Sequence, residues 1–226
     1  MRYLRPIVMS VVLIIFTKNI IAQTSDFGIR LDADLTKKLT KKIELEFDEE
    51  LRMNNNSSSF DRSLTTLGAN YDYNRTFKAG VFYTYIYMNN QHDGYWESRN
   101  RFGVWITAAH KFDRFKISLR EKFQNTYRDE SLGNYLYNPK MVLRSRFELA
   151  YNIRKFPVNP FLSAEMQYQL NNPYGNEIDN WRYTAGAEYK ISKKFGIDLY
   201  YRLDKSVNVK NPANYSILGT SFKLNF

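Results

Sequence analysis

Apolar and polar residues alternate along most of this chain. In "FGIRLDADLTK", Phe27, Ile29, Leu31, Ala33 and Leu35 share one side of an extended backbone, and Gly28, Arg30, Asp32, Asp34 and Thr36 share the other. A period of two marks a strand with two unlike faces. The following stretch, "KKIELEFDEELR" at 41–52, is ambiguous alone. Ile43, Phe47 and Leu51 also fit the i, i+4, i+8 stripe of a helix, which would strand Leu45 among acids. A hairpin with the preceding segment, through a short Lys/Thr turn, explains both stretches by one rule.

The same alternation runs through "LGANYDYN", "FKAGVFYTYIYM", "RFGVWITAAHKF", "FKISLREKFQNTYR", "MVLRSRFELAYN", "FLSAEMQYQL", "WRYTAGAEYKI", "FGIDLYYRLD" and "YSILGTSFKLNF", for eleven strands in all. At ~3.3 Å per residue and a tilt near 40°, strands of this length cross an apolar band ~25 Å thick. Connections sort by length. "NRT", "DR", "IRKFP" and "SKK" are tight, whereas "NNNSSSFD", "NNQHDGYWES", "DESLGNY", "NNPYGNEID" and "KSVNVKNPAN" are longer and polar. Short turns at one end and long loops at the other are expected of a barrel in the bacterial outer membrane, with the turns periplasmic. Bacterial single-chain barrels use even strand numbers with both ends in the periplasm. Counting back from Phe226 starts the first strand on the far side, which conflicts with that rule. The pattern therefore predicts an all-β, transmembrane, antiparallel up-and-down barrel of 10–12 strands, twelve being preferred.

Composition changes the picture in three ways. The 226 residues suffice for one domain and include no cysteine, which excludes disulfides and thiolate chemistry. No stretch after residue 22 approaches the ~20 consecutive apolar residues of a spanning helix. The N-terminus instead reads as an export signal: Arg2 and Arg5, then "PIVMSVVLIIF", then "IIAQ" with cleavage after Ala22. This predicts a signal peptide at 1–22 and a single barrel domain at 23–226. Ile20 and Lys18 depart from the ideal signal, but the run is short for a membrane anchor. Removing Arg2, Arg5 and Lys18 lowers the net charge from +10 to +7. A basic balance can indicate nucleic-acid binding. Export removes nucleic acid from contention, and loop residues such as Lys205 and Lys210 would meet anionic lipopolysaccharide instead.

If the apolar face meets lipid, the charged face lines a lumen, and its charges are sorted. The first two strands carry Asp32, Asp34, Glu44, Glu46, Asp48 and Glu50 against Arg30 and Arg52. The sixth and seventh carry Lys116, Arg120, Lys122, Arg128, Lys140, Arg144 and Arg146 against Glu148. In a ring of this size an acidic wall faces a basic wall. The expectation is a narrow lumen in which the walls pair by salt bridges. The alternative is a small-solute pore with a transverse field. Trp105 has inward parity and would narrow either. Aromatic girdles are expected from Tyr85, Tyr87, Tyr127, Trp181 and Tyr183 toward the loops and from Phe112, Phe115 and Phe195 toward the turns. Tyr95, Trp96, Tyr135, Tyr137 and Tyr174 are loop aromatics that could instead stack on carbohydrate.

A lipid-modifying enzyme would need a nucleophile, base and orienter together. There are two histidines. His110, Ser145 and Glu121 share outward parity, but pairing about the Asp113-Arg114 turn sets His110 opposite Ile117 and Glu121 opposite Ile106. His92 lies in a loop beside Asp93. No metal cluster, phosphate loop or paired catalytic carboxylates stand out, so the sequence predicts no enzyme, no cofactor and no metal. Glu121, an acid of lipid-facing parity, suggests a β-bulge that resets the alternation. Glu49, also off the lumen parity, is expected near the outer interface.

The final residues Gly219, Phe222, Leu224 and Phe226 in "LGTSFKLNF" resemble the C-terminal signal read by barrel-assembly machinery. Together with "LTKKIELEFDEELR", "FDRSLTTLGANYDYN", "WESRNRF" and "FDRFKISLREKF", the chain resembles the domain of unknown function 2490 family of Bacteroidetes-type outer-membrane barrels. The resemblance spans nearly all of the mature chain. It implies a barrel in the outer membrane, in contact with its lipids and lipopolysaccharide, and supplies no activity or catalytic residue.

Overall fold

The computed structural model of the protein describes residues 24–90, 94–133, 135–208 and 213–226. The segment 1–22 and the cleavage after Ala22 lie outside these residues. Eleven strands follow one another: β1 (Thr24–Lys38), β2 (Ile43–Asn54), β3 (Ser59–Asp72), β4 (Phe77–Asn90), β5 (Tyr95–Phe112), β6 (Phe115–Arg128), β7 (Lys140–Tyr151), β8 (Val158–Gln169), β9 (Glu177–Lys190), β10 (Phe195–Ser206) and β11 (Ala213–Asn225). Each pairs with its chain neighbours, and β1 meets β11 to close the barrel. Among the described residues the chain is all-β apart from one short 3-10 turn at Glu130–Leu132.

Among the described residues the barrel has eleven strands, within the expected 10–12 but not the preferred twelve. The conflict over the first strand is resolved by the closing pair: β1 and β11 run parallel, from Thr24↔Ala213 to Thr36↔Asn225. An odd number of alternating strands leaves its first and last members pointing the same way, so their pairing must be parallel. The seam is tied at the turn end, where the Phe226 N–H donates to the Thr36 carbonyl at 2.9 Å and the Lys38 N–H to the Phe226 carbonyl at 3.2 Å. Following the pairing from Arg30 one way reaches Glu97 on β5 through Arg52, Arg62 and Met88. Following it the other way reaches Lys111 on the same strand, fourteen residues further along. That stagger is the shear which obliges the strands to tilt about the axis.

Alternation decides the two surfaces. Leu31, Leu45, Val81, Phe102, Leu119, Leu162 and Leu199 all stand outward and exposed, while Arg30, Glu97, Glu165 and Asp198 are buried inside. This inverts a soluble fold, and it is the arrangement a membrane-spanning barrel requires. Aromatic rings stack along both rims of the outer face: Tyr87 on Trp96 at 4.9 Å, Trp181 on Tyr183 at 6.3 Å, and Phe112 on Phe115 at 5.5 Å.

The tight turns are written by single side chains. Thr40, Asn74 and Ser192 each accept two backbone N–H groups of their own turn through the side-chain oxygen, as short polar residues do at turns. Two expected long loops are shorter than predicted. Strands β2 and β3 leave only 55–58 between them, and β4 and β5 leave 91–94, because polar residues at the strand ends continue the ladder. Tyr95 and Trp96 accordingly belong to β5. Bulges occur at Arg52/Met53 and Gln167/Tyr168, which leave Asp61 and Asp179 as the extra residues on β3 and β9. None falls on β6: its register runs unbroken past Glu121 on both sides, so no bulge resets the parity there. Glu121 instead accepts a 2.6 Å hydrogen bond from the Ser145 hydroxyl on β7. Glu49 is mid-strand rather than near the interface, since β2 continues to Asn54, and it accepts from Thr65 at 2.6 Å.

Four inward-facing glycines each lie directly opposite an aromatic residue: Gly80 and Trp105, Gly103 and Phe82, Gly186 and Phe161, Gly219 and Tyr200. In every case the ring occupies the place a Cβ would take, at 2.4 Å for Phe82 over Gly103. The rings thus lie flat on the wall rather than across the lumen. Substituting Gly103→Ala should push Phe82 off this seat and destabilise the barrel by about 1–3 kcal/mol, the usual penalty of overpacking. Denaturant unfolding of the detergent-folded protein measures this, with Leu67→Ala on the outer face as the comparison.

Candidate functional site

The lumen encloses a cavity of about 950 Å³. Its mouth lies at the turn end, where Lys111, Asp113, Lys116, Asn152 and Lys190 line it. It reaches inward to a belt that includes Arg30, Arg52, Arg101, Arg144 and Arg182. Beyond the belt, toward the loops, several inward-facing side chains are buried. Ile86 is 1% exposed and Glu97 2%, with Val142, Gln169, Thr126 and Met88 also buried. All six lie near the loop ends of their strands.

The two charged groups found from sequence face this cavity. Asp32, Asp34, Glu46, Asp48 and Glu50 line one side; Lys116, Arg120, Lys122, Arg144 and Arg146 line the other. Glu44 is apart from them, held near the turn end by Lys78 at 2.7 Å and Lys38 at 3.4 Å. Lys140 is likewise drawn off, bonding Asp179 on β9 at 2.5 Å. Arg128 rests over the Tyr135 ring at 4.9 Å.

Among the described residues, no ion pair joins the β1–β2 acids to the β6–β7 bases. Charges pair along the wall instead. Glu50 is met by Arg30 at 3.2 Å and by Arg52 beside it. Arg144 turns to Glu165 on β8 at 2.6 Å, and Arg146 lies 3.8 Å from Glu148 on its own strand. Arg182 grips both oxygens of Asp204 at 2.7 Å and lies 3.6 Å from Glu165. The physical reason is reach: residues on adjacent strands have Cβ atoms about 5 Å apart, so a neighbour is met before a charge across the lumen.

Other wall residues have neutral partners. Tyr200 donates to Asp32 at 2.9 Å, Ser221 to Asp34 at 2.6 Å and Asn70 to Glu46 at 3.1 Å. Arg120 stacks 4.5 Å from the centre of Trp105 and donates to Thr107 at 3.1 Å. Lys122 sits 3.8 Å above the Phe82 ring, and Arg101 donates to Thr126 at 3.0 Å. Trp105 is inward and buried.

Glu165, Arg182, Asp198 and Asp204 were missed from sequence. The signal was present, since the parity count applied to the first two and the sixth and seventh strands also turns these residues inward on β8–β10. The C-terminal residues divide: Phe222 is outward and exposed, whereas Gly219 is inward beneath the Tyr200 ring. His110 is exposed and pairs with Ile117, apart from Glu121 and Ser145. His92 lies outside the described residues. Among the described residues, no group of three His, Asp or Glu side chains has the spacing to hold a metal ion.

A closed barrel with an apolar exterior and a charged lumen belongs to the class of membrane-spanning β-barrels. The chain is a member of the family described as "Protein of unknown function (DUF2490)", whose model matches residues 27–214. No curated protein matches it. Two solved structures are similar in outline. A KdgM porin shares 12% identity over 89% of this chain and 99% of its own, with a TM-score of 0.47. The translocator domain of autotransporter NalP from Neisseria meningitidis shares 12% identity over 79% of this chain and 73% of its own, with a TM-score of 0.37. Neither is close enough to pass anything specific to this protein.

Glu165 is 6% exposed and is shared by two arginines, Arg144 and Arg182. Glu165→Gln should therefore cost about 3–5 kcal/mol, the range for a buried pair that loses one partner. The midpoint of urea unfolding in detergent reads the loss.

Proposed function

We propose that this protein is an integral barrel of the bacterial outer membrane whose lumen is a charged vestibule, open at the turn end and closed toward the loops. The observation that carries this is the packed layer around Ile86 and Glu97 on the loop side of the arginine belt. A through-pore needs a continuous aqueous path, and the buried inward-facing side chains in that half of the lumen stand in its way. Closure also accounts for the tolerance of unpaired wall charges, since the vestibule below stays wet.

In this reading the apolar outer face meets membrane lipid, the turns face the periplasm and the loops face outward. Basic loop-side residues such as Lys205 would meet lipopolysaccharide, and the C-terminal strand would be read by barrel-assembly machinery during insertion. The reading assigns the chain no chemical step: the outward Ser145–Glu121 pair lacks a base, because His110 is held four residues away on the paired strand.

Purified folded protein in planar bilayers should give no discrete single-channel openings. Regular openings from a heat-modifiable, fully folded sample would replace the vestibule by a small-solute pore. Fractionation of membranes with an antibody to the folded protein tests the location, with the outer-membrane fraction expected.

A further inference from the structure

The vestibule carries two sets of charges that have no ionic partner. On β5 and β6, Arg101, Arg120 and Lys122 face the cavity with no carboxylate within ion-pair distance among the described residues. Their contacts are neutral: Thr126 for Arg101, Thr107 and the Trp105 ring for Arg120, and the Phe82 ring for Lys122. A cation lying on a ring face keeps its charge and N–H groups available to a further partner. On β1 and β2, Asp32, Asp34, Glu46 and Asp48 line the same cavity, Asp34 and Asp48 meeting each other across the strand pair, and none has a cation within ion-pair distance among the described residues.

Acids and bases facing one enclosed space ordinarily collapse onto each other. Here they are held apart. Gly80 and Gly103 seat the Trp105 and Phe82 rings flat against the wall, and those rings hold Arg120 and Lys122 to the β5–β6 side. Tyr200 and Ser221 hold Asp32 and Asp34 to the opposite side. The space between is within the range of a small-ligand pocket, roughly 300–1,000 Å³, and its mouth is open.

We infer that the vestibule binds a small zwitterion, its carboxylate or phosphate directed to Arg101, Arg120 and Lys122 and its ammonium to Asp34 and Asp48. Such a solute satisfies both walls at once, which neither a simple anion nor a simple cation can do. Arginine and lysine on one side favour a planar or tetrahedral oxyanion, and clustered carboxylates on the other favour a compact ammonium. The wall charges also draw such solutes in from the turn end. This inference rests on the vestibule reading and adds its occupant.

The test uses the full-length folded barrel in detergent, titrated calorimetrically with linear ω-amino carboxylates of increasing chain length. The matching alkyl carboxylates and alkyl ammonium ions serve as single-charge controls. One chain length should bind saturably, and each control should bind roughly ten- to a hundredfold more weakly, the worth of one charged hydrogen bond. Lys122→Met and Asp48→Asn should each reduce binding by a similar factor while retaining the heat-modifiable mobility of a folded barrel. Binding of the controls as tightly as the zwitterion overturns the inference, and so does absence of saturable binding across the series. Either result leaves the bilayer recordings unchanged, so failure of the occupant is distinguishable from failure of the closed vestibule.

Discussion

Hydrocarbon offers no partner to a backbone N–H or C=O, so a sheet that crosses a membrane has to pair both of its edges. For this chain the requirement acts on eleven strands, and eleven cannot close in strict alternation. The parallel seam between β1 and β11 resolves this. Its slanted hydrogen bonds are slightly weaker than an antiparallel ladder, but an open edge in lipid would leave a whole row of polar groups unmet. The seam also shapes the lumen. It brings Gly219 and Ser221 of β11 beside the β1 acids. Gly219 lets the Tyr200 ring cross over the β11 backbone, and the Tyr200 hydroxyl reaches Asp32 from two strands away. One residue read from sequence as part of an assembly signal is thus also the gap through which the acidic wall is held in place.

Pairing in the lumen follows adjacency rather than overall charge balance. Glu44 and Glu50 are neutralised by cations on their own or nearby strands, and Arg144 by Glu165 on the next strand. What remains after these short-range pairings is a pair of unlike surfaces across a cavity. The expectation that walls of opposite sign would close on each other treated the lumen as a narrow slot. The flat-lying rings over Gly80, Gly103 and Gly219 make the walls thinner than their side-chain volumes suggest, and the slot becomes a chamber.

The face of each strand was legible because alternation is a strong, repeated signal. It assigned Leu31 and Phe102 to the outside, Asp34 and Lys122 to the inside, and it exposed the sorting of charge. It failed where the sequence has no apolar residue to mark the face. At "NNSSSF" and "NNQHDGYW" polar residues continue the strands, and nothing in them distinguishes a ladder from a loop. The bulges at Asp61 and Asp179 are hidden for the same reason. Closure parity was illegible on different grounds: each strand could be read locally, but how the first meets the last is a property of the whole ring. Glu165 and Arg182 were readable by parity and lay outside the two walls that the charge sorting made conspicuous.

The lipid side and the lumen side treat charge by different rules, and that difference gives the unpaired lumen residues their meaning. Glu49 and Glu121 face the membrane at mid-strand, and each has a hydroxyl from the adjacent strand at 2.6 Å. A hydroxyl can serve a carboxyl group in either protonation state, as donor or acceptor, which suits a site where no water can compensate. Inside, Asp48 meets the Asp34 carboxyl across the β1–β2 pair and Lys122 rests on the Phe82 ring, and neither has an ionic partner among the described residues. In a dry interior that would be among the costliest arrangements in the fold. Their persistence on opposite sides of an open-mouthed cavity fits the proposed solvated vestibule, in which an entering solute would exchange water for fixed charges already arranged on both sides.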